Sequence, residues 1–244
     1  CSFKKWNNFI VLGVDGSKLN LPYSEELLKD FGIKLTKDKI MPQAIISSCY
    51  DLLNEIIIDS QIDKGDKTER PLALKHIENL HKINHRVLMI FDRGYQGLWF
   101  IFYLLMKKLD FVMRLKNDFP EVDSFLKSDD ISRIINYEEC SEKSINQLKK
   151  IGLIFHSIKI RLVKVILDNG TIEVLATSLL DEKKYPSAIF KDLYFRRWGI
   201  ETNFDRLKNK IEIENFTGLS TLSVLQDYYA NMFILNLQSI IARD

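Results

Sequence analysis

The chain has 244 residues, 46% hydrophobic and 28% charged, with a formal net charge of +2. That is ordinary for a soluble globular protein and long enough for one large domain or two small ones. No apolar run approaches the roughly 18 residues that span a bilayer, no secretory signal is visible, and so mild a positive charge neither demands nor excludes nucleic acid.

Cys1, Cys49 and Cys140 are odd in number, far apart and form no CxxC pair. They read as reduced structural thiols of a cytosolic protein. A first residue of Cys1 rather than Met reads as a piece of a longer chain, with something removed upstream.

In chain order, Phe9 to Val14 is a short apolar run that predicts a buried strand ending at Asp15. Asp15-Gly16-Ser17 is turn chemistry, and Leu19 to Leu21 predicts the return strand of a hairpin. Ala44 to Tyr50 and Asn54 to Asp59 predict two strands with a turn near Asp51. Pro71 to His81 has helical spacing. Arg86 to Phe91 is a strongly apolar strand ending at Asp92, and a helix is expected from about Leu98 to Leu109, with a strand at Phe111 to Leu115. In the middle, Asn169-Gly170 separates two runs rich in branched residues, Ile158 to Leu167 and Ile172 to Thr177, a strong hairpin signal. Helix is expected from Ser187 to about Glu214 and from Thr221 to Ala242, the last with Leu225, Tyr229, Met232, Leu235 and Ile240 on its apolar side. The expected class is α/β with a mixed sheet.

Asp15 and Asp92 share one pattern: an apolar strand, an Asp, a Gly-containing turn. Either acid alone could simply cap a turn. Side by side at the rim of a sheet, two carboxylates would repel unless a cation such as Mg²⁺ or Mn²⁺ joined them.

Tyr194, Arg197, Glu201 and Lys208 fall within an arc of roughly 60° on a continuous helix. Arg197 can fork onto a phosphate, Lys208 can supply a point charge, Tyr194 a hydroxyl or stacking face, and Glu201 a metal carboxylate. Trp198 lies beside the stripe and could stack on a displaced base, although tryptophan is more often core or interface. The plain alternative is a solvated face with an Arg197–Glu201 pair.

Taken together, these motifs resemble the DDE-type insertion-sequence transposases whose third acid lies in a Tyr-x2-Arg-x3-Glu-x6-Lys motif, here Tyr194, Arg197, Glu201 and Lys208. Asp15-Gly16-Ser17 and Asp92-Arg93-Gly94-Tyr95 resemble the first-acid and second-acid motifs of the same family. The resemblance runs from about Phe9 to the last helix. It implies one catalytic domain over 1–244: a ribonuclease H-like mixed sheet flanked by helices, about 1–116 and 183–244, with a β-rich insertion at about 117–182. It implies that Asp15, Asp92 and Glu201 hold two Mg²⁺ or Mn²⁺ ions for cleavage of transposon ends and strand transfer into target DNA. Tyr194, Arg197, Lys208, Trp198 and Arg93 would contact DNA. A homodimer in a synaptic complex is expected, in a bacterial cytoplasm and on the nucleoid when acting, with no membrane partner. The region that recognises terminal repeats is expected to be absent. Two rival readings are a ribonuclease H-like nuclease without strand transfer and an inactive DNA-binding derivative.

His81 and His85 could share a helical face, but no further soft ligand lies near them for zinc. His76 and His156 read as surface or hydrogen-bonded residues, Lys143, Lys149 and Lys150 as a solvated patch, and Phe100, Phe102 and Tyr103 as core.

Overall fold

The computed structural model describes residues 3–35, 40–80 and 83–242. Cys1 and His81, and with them the paired-histidine reading, lie outside the described residues. The elements are β1 (Ile10–Asn20), α1 (Glu25–Phe31), β2 (Ile33–Leu35), β3 (Ile40–Asp51), β4 (Ile56–Lys64) and α2 (Glu69–Asn79). Next come β5 (Val87–Phe91), α3 (Leu98–Met106), β6 (Asp110–Arg114), α4 (Val122–Leu126), β7 (Ser132–Tyr137) and α5 (Glu142–Lys150). The last are β8 (Ile158–Ile166), β9 (Ile172–Thr177), α6 (Ile189–Phe195), α7 (Trp198–Asp205), a π-helical turn at Arg206–Lys210, and α8 (Thr221–Ile241). The expected class holds: mixed β-structure flanked by helices.

The chain forms two compact units, Cys1–Asn84 with Trp198–Asp244, and His85–Arg197. In the first unit β3 is the hub. It pairs antiparallel with β1, β2 and β4. The expected hairpin at Asp15 does not form. β1 is one strand of 11 residues, paired with β3 from Leu12↔Asp51 to Asn20↔Gln43. The ladder overrides the local turn preference of Asp15-Gly16-Ser17, since each paired residue recovers backbone hydrogen bonds that a turn would forfeit. The turn near Asp51 does form, with Asp51 Oδ1 accepting from the backbone N–H groups of Leu53 and Asn54 at 3.0 and 2.9 Å.

One face of these strands is apolar and is covered by α7 and α8. Leu19, Ala44, Ile46, Ile200, Phe204, Leu207, Val224 and Tyr228 are buried together there. On α8 the buried line is Val224, Tyr228, Met232, Leu235 and Ser239. Tyr229 and Ile240, expected on the apolar side, are exposed, so the buried stripe is rotated from the expected one. The cause is tertiary: Asn236 docks on β4, accepting from Ile57 N at 2.7 Å and donating to Ile57 O at 2.8 Å. That pairing satisfies a strand's edge groups and fixes the helix's rotation.

In the second unit the strand order is β5-β6-β9-β8-β7, with β5 and β6 parallel and the other pairs antiparallel. β5 is buried throughout, as is expected of a strand covered on both faces. The β8–β9 hairpin forms at Asn169-Gly170, where Gly170 takes φ +80° and Asn169 Oδ1 accepts from Thr171 N. Phe100, Phe102 and Tyr103 of α3 are core, as expected. Lys143, Lys149 and Lys150 are exposed. Cys49 and Cys140 are free thiols.

Candidate active site

Each unit presents its own part of the acidic set. In the first, Asp15 sits in the middle of β1, half-buried, rather than at a strand end. Its Oδ1 accepts from Gly16 N at 2.9 Å. In register it faces Ser48 of β3, so both side chains project from the same face. That face is the one covered by α7, which packs on β1 and carries Glu201. α7 is anchored by buried Ile200, Asn203 and Phe204, and Glu201 stands half-buried beside them. Two buried polar atoms here, Ser48 Oγ and Asn203 Nδ2, have no hydrogen-bond partner among the described residues. Buried polar atoms of this kind normally find one.

Asp92 leaves β5 at its very end, as expected. Gly94 N donates to Asp92 Oδ1 at 2.7 Å, and Tyr95 N to Asp92 O at 3.3 Å, which closes a tight turn. The turn is nailed down by Tyr95, fully buried against Phe91 with ring centroids 5.2 Å apart. A Cβ on Gly94 would stand 2.9 Å from Asp92 Oδ1, so glycine is what lets the backbone approach the acid. Arg93 points into solvent.

Tyr194 and Arg197 also belong to the second unit and are each 8% exposed. The guanidinium carbon lies 5.7 Å from the phenol ring centre, a cation–π contact. Burial pushes the Tyr194 phenol up to about 12; Arg197 and Arg114 oppose that rise, and Asp92 and Glu173 add to it. The phenol is therefore neutral, and its hydroxyl makes no hydrogen bond among the described residues. Arg114 and Glu173 form an ion pair of 2.7 Å beside it. Sequence reading missed both residues. The one signal was an arginine closing the apolar run Phe111 to Leu115.

The expected single helix from Ser187 to Glu214 is three segments. At the first break Arg197 N bonds to Tyr194 O, three residues back rather than four, which ends α6. The common arc calculated for a straight helix therefore does not apply. Tyr194 lies on α6, Arg197 in the turn after it, Glu201 on α7, and Lys208 in the π-helical turn, half-buried. Trp198 is 53% exposed and is not core, and Phe195, unremarked in the sequence, is 69% exposed.

The residues present suit a hard divalent cation. The donors are all oxygens, and each of the two aspartates spends one oxygen on a nearby backbone N–H that fixes its orientation. Among the described residues no group of three or more His, Cys, Asp or Glu is gathered in metal-binding proximity. Asp15 and Glu201 belong to one unit and Asp92 to the other.

The fold is similar to that of a solved transposase. It matches a cryo-EM structure of the piggyBac transposase synaptic complex with hairpin DNA at a TM-score of 0.52 and 13% identity, over 96% of this chain and 48% of that one. The chain thus spans about half the length of that transposase. Residues 33–237 match the transposase DDE domain family, and the chain belongs to it. That span includes Asp92 and Glu201, while Asp15 precedes it. No curated protein matches the chain. No described helix is long and apolar enough to cross a membrane.

Proposed function

We propose that this chain is the catalytic domain of a DNA transposase that cleaves transposon ends and joins them to target DNA. Asp15, Asp92 and Glu201 are its acidic residues. The observation that carries this reading is the placement of Asp15 and Glu201 on a strand and a helix packed together in one unit, in a chain of the transposase DDE family. The three carboxylates would hold two divalent ions, Mg²⁺ or Mn²⁺. When bound, such ions supply activation of a water or 3′-hydroxyl and charge stabilisation at the leaving oxygen.

The chain's own side chains do the positioning. Arg197 and Lys208 take the phosphate backbone, with Arg93 as a further contact, and Tyr194 offers a neutral hydroxyl donor. Trp198 offers an exposed ring on which a displaced base can stack. The chain belongs to the Tyr-x2-Arg-x3-Glu-x6-Lys group of insertion-sequence transposases, with a ribonuclease H-like core at about 1–116 and 183–244 and an insertion at about 117–182. It acts as a homodimer on paired DNA ends, in a bacterial cytoplasm and on the nucleoid.

The test is nicking of element-end DNA by the full-length protein with Mg²⁺ or Mn²⁺, followed by strand transfer from precut ends. Nicking by Glu201→Gln at the parent rate would remove Glu201 from the site. Nicking without strand transfer would make the protein a nuclease instead.

A further inference from the structure

Behind Asp15, on the other face of the strands, lies a buried chain of polar side chains. Ser47 of β3 and His76 of α2 are fully buried. Ser47 Oγ donates to the backbone carbonyl of Asp15 at 3.1 Å. His76 Nε2 lies 3.0 Å from the same Oγ, and His76 Nδ1 lies 2.5 Å from Asp59 Oδ2 on β4. Asp59 Oδ2 also accepts from Gln61 Nε2 at 2.9 Å, and both Asp59 oxygens accept from Asn79 Nδ2 at 3.2 Å.

The Asp15 carbonyl can only accept, so Ser47 Oγ is the donor to it. His76 links Ser47 to Asp59 through its two ring nitrogens. Burial raises the Asp59 carboxyl, but hydrogen bonds from His76, Gln61 and Asn79 together take it below the usual value. It is ionised and accepts from Nδ1–H. The imidazole bridges the two side chains, Nδ1 on Asp59 and Nε2 on Ser47. The order Ser-His-Asp looks like a nucleophilic triad, but Ser47 is wholly enclosed and its proton is committed to a peptide carbonyl.

The peptide that Ser47 grips is the one between Asp15 and Gly16. Its carbonyl accepts from Ser47, and its N–H, on Gly16, donates to Asp15 Oδ1 at 2.9 Å. A continuous line of hydrogen bonds thus runs from Asp59 through His76, Ser47 and one peptide plane to the Asp15 carboxylate. Bonds in such a series polarise one another.

We propose that Asp59, His76 and Ser47 are positioning residues that fix the orientation of the Asp15 carboxylate for its metal. The proposal rests on the reading of Asp15 as a metal ligand. The groups that orient metal ligands typically change metal affinity 10- to 100-fold when lost.

Mn²⁺ binding to the full-length protein without DNA, by titration, tests this alongside thermal unfolding. Ser47→Ala and His76→Leu are expected to weaken Mn²⁺ binding by about 10-fold, and Ser47→Thr, which keeps the hydroxyl, to stay within about twofold of the parent. A purely structural network would lower the unfolding temperature and leave Mn²⁺ affinity alone, and that result would overturn the proposal. Asp15→Asn separates the two levels. If it loses Mn²⁺ while Ser47→Ala and His76→Leu keep it, the relay fails and the reading of Asp15 stands. If Asp15→Asn binds Mn²⁺ and nicks DNA like the parent, both fail. Should either variant not fold, His76→Gln and Asp59→Asn take their place, with the same expected loss of Mn²⁺ affinity and the same overturning result.

Discussion

The Arg197 guanidinium lies against the face of the Tyr194 ring, 5.7 Å from its centre, while the hydroxyl at the far end of that ring is buried without a partner among the described residues. A buried hydroxyl that makes no hydrogen bond costs stability, by about 1–3 kcal/mol. Such a cost persists where the group serves function. Tyr194→Phe should keep or raise the unfolding free energy, by up to about 1 kcal/mol, while DNA nicking falls. Denaturant unfolding and a nicking assay on the same preparation check both halves.

The same phenol gives a pH dependence with a definite sign. Burial holds Tyr194 at about 12, and burial likewise raises Tyr50 to about 12, against about 10 in an unfolded chain. A folded value above the unfolded one means that its stability contribution is complete below pH about 10 and is lost as pH rises towards 12. Unfolding free energy measured across that window should decline, and less steeply in Tyr194→Phe.

Gly94 offers a test of how the second acid is held. A methyl group there meets Asp92 Oδ1 at 2.9 Å, and the cheapest relief is rotation of the carboxylate away from Gly94 N. Gly94→Ala should therefore lower nicking by about 10- to 100-fold, as misplacements of about 1 Å do. The unfolding temperature should change little, because Gly94 itself is exposed.

Arg161 is buried and donates to Tyr185 O and Ser132 Oγ at 2.6 Å and to Ser187 Oγ at 2.9 Å, with its guanidinium over Phe190 of α6. Arg161→Met leaves those acceptors bare and should cost about 3 kcal/mol. Arg161→Lys should recover little, since an ammonium cannot reproduce the planar fork. Chemical denaturation measures both.

Mn²⁺ at about 100 times its dissociation constant should stabilise the parent by about 2.7 kcal/mol. Asp15→Asn and Asp92→Asn should show little of that gain. Full stabilisation of either variant would exclude its acid as a ligand.

Much of the local structure around the candidate Asp92 is legible in the sequence. β5, Asp92 and Gly94 follow one another within eight residues, and nothing distant overrides them. The local structure expected at Asp15 is not the one it has. Its Asp-Gly-Ser sequence favours a turn, and only the β3 ladder, some 30 residues away, makes it strand. The helical period from Tyr194 to Lys208 is real, but periodicity cannot register a hydrogen-bond pattern that tightens at Arg197 and widens at Arg206. His76 was read as surface or hydrogen-bonded; it is buried and hydrogen-bonded, and its partners could not be named because Ser47 and Asp59 are 29 and 17 residues distant. Arg114 and Glu173 pair between β6 and β9, with β7 and β8 intervening in the chain.

The location of Asp15 within β1 also has a consequence for how the protein tolerates error. Its side chain has an address, set by nine successive pairings with β3, rather than a loop that could drift. Strand side chains alternate between faces, so a slip of a single residue would turn the carboxylate towards α2 and send exposed Lys18 into the apolar face. Leu19, fully buried on the same side as Asp15, forbids that slip, because it would surrender its own burial. The acid is thus protected by the apolar residue four positions further on. Insertions or deletions within residues 10–20 should be lost as folding failures before they could yield a folded protein with a misplaced acid.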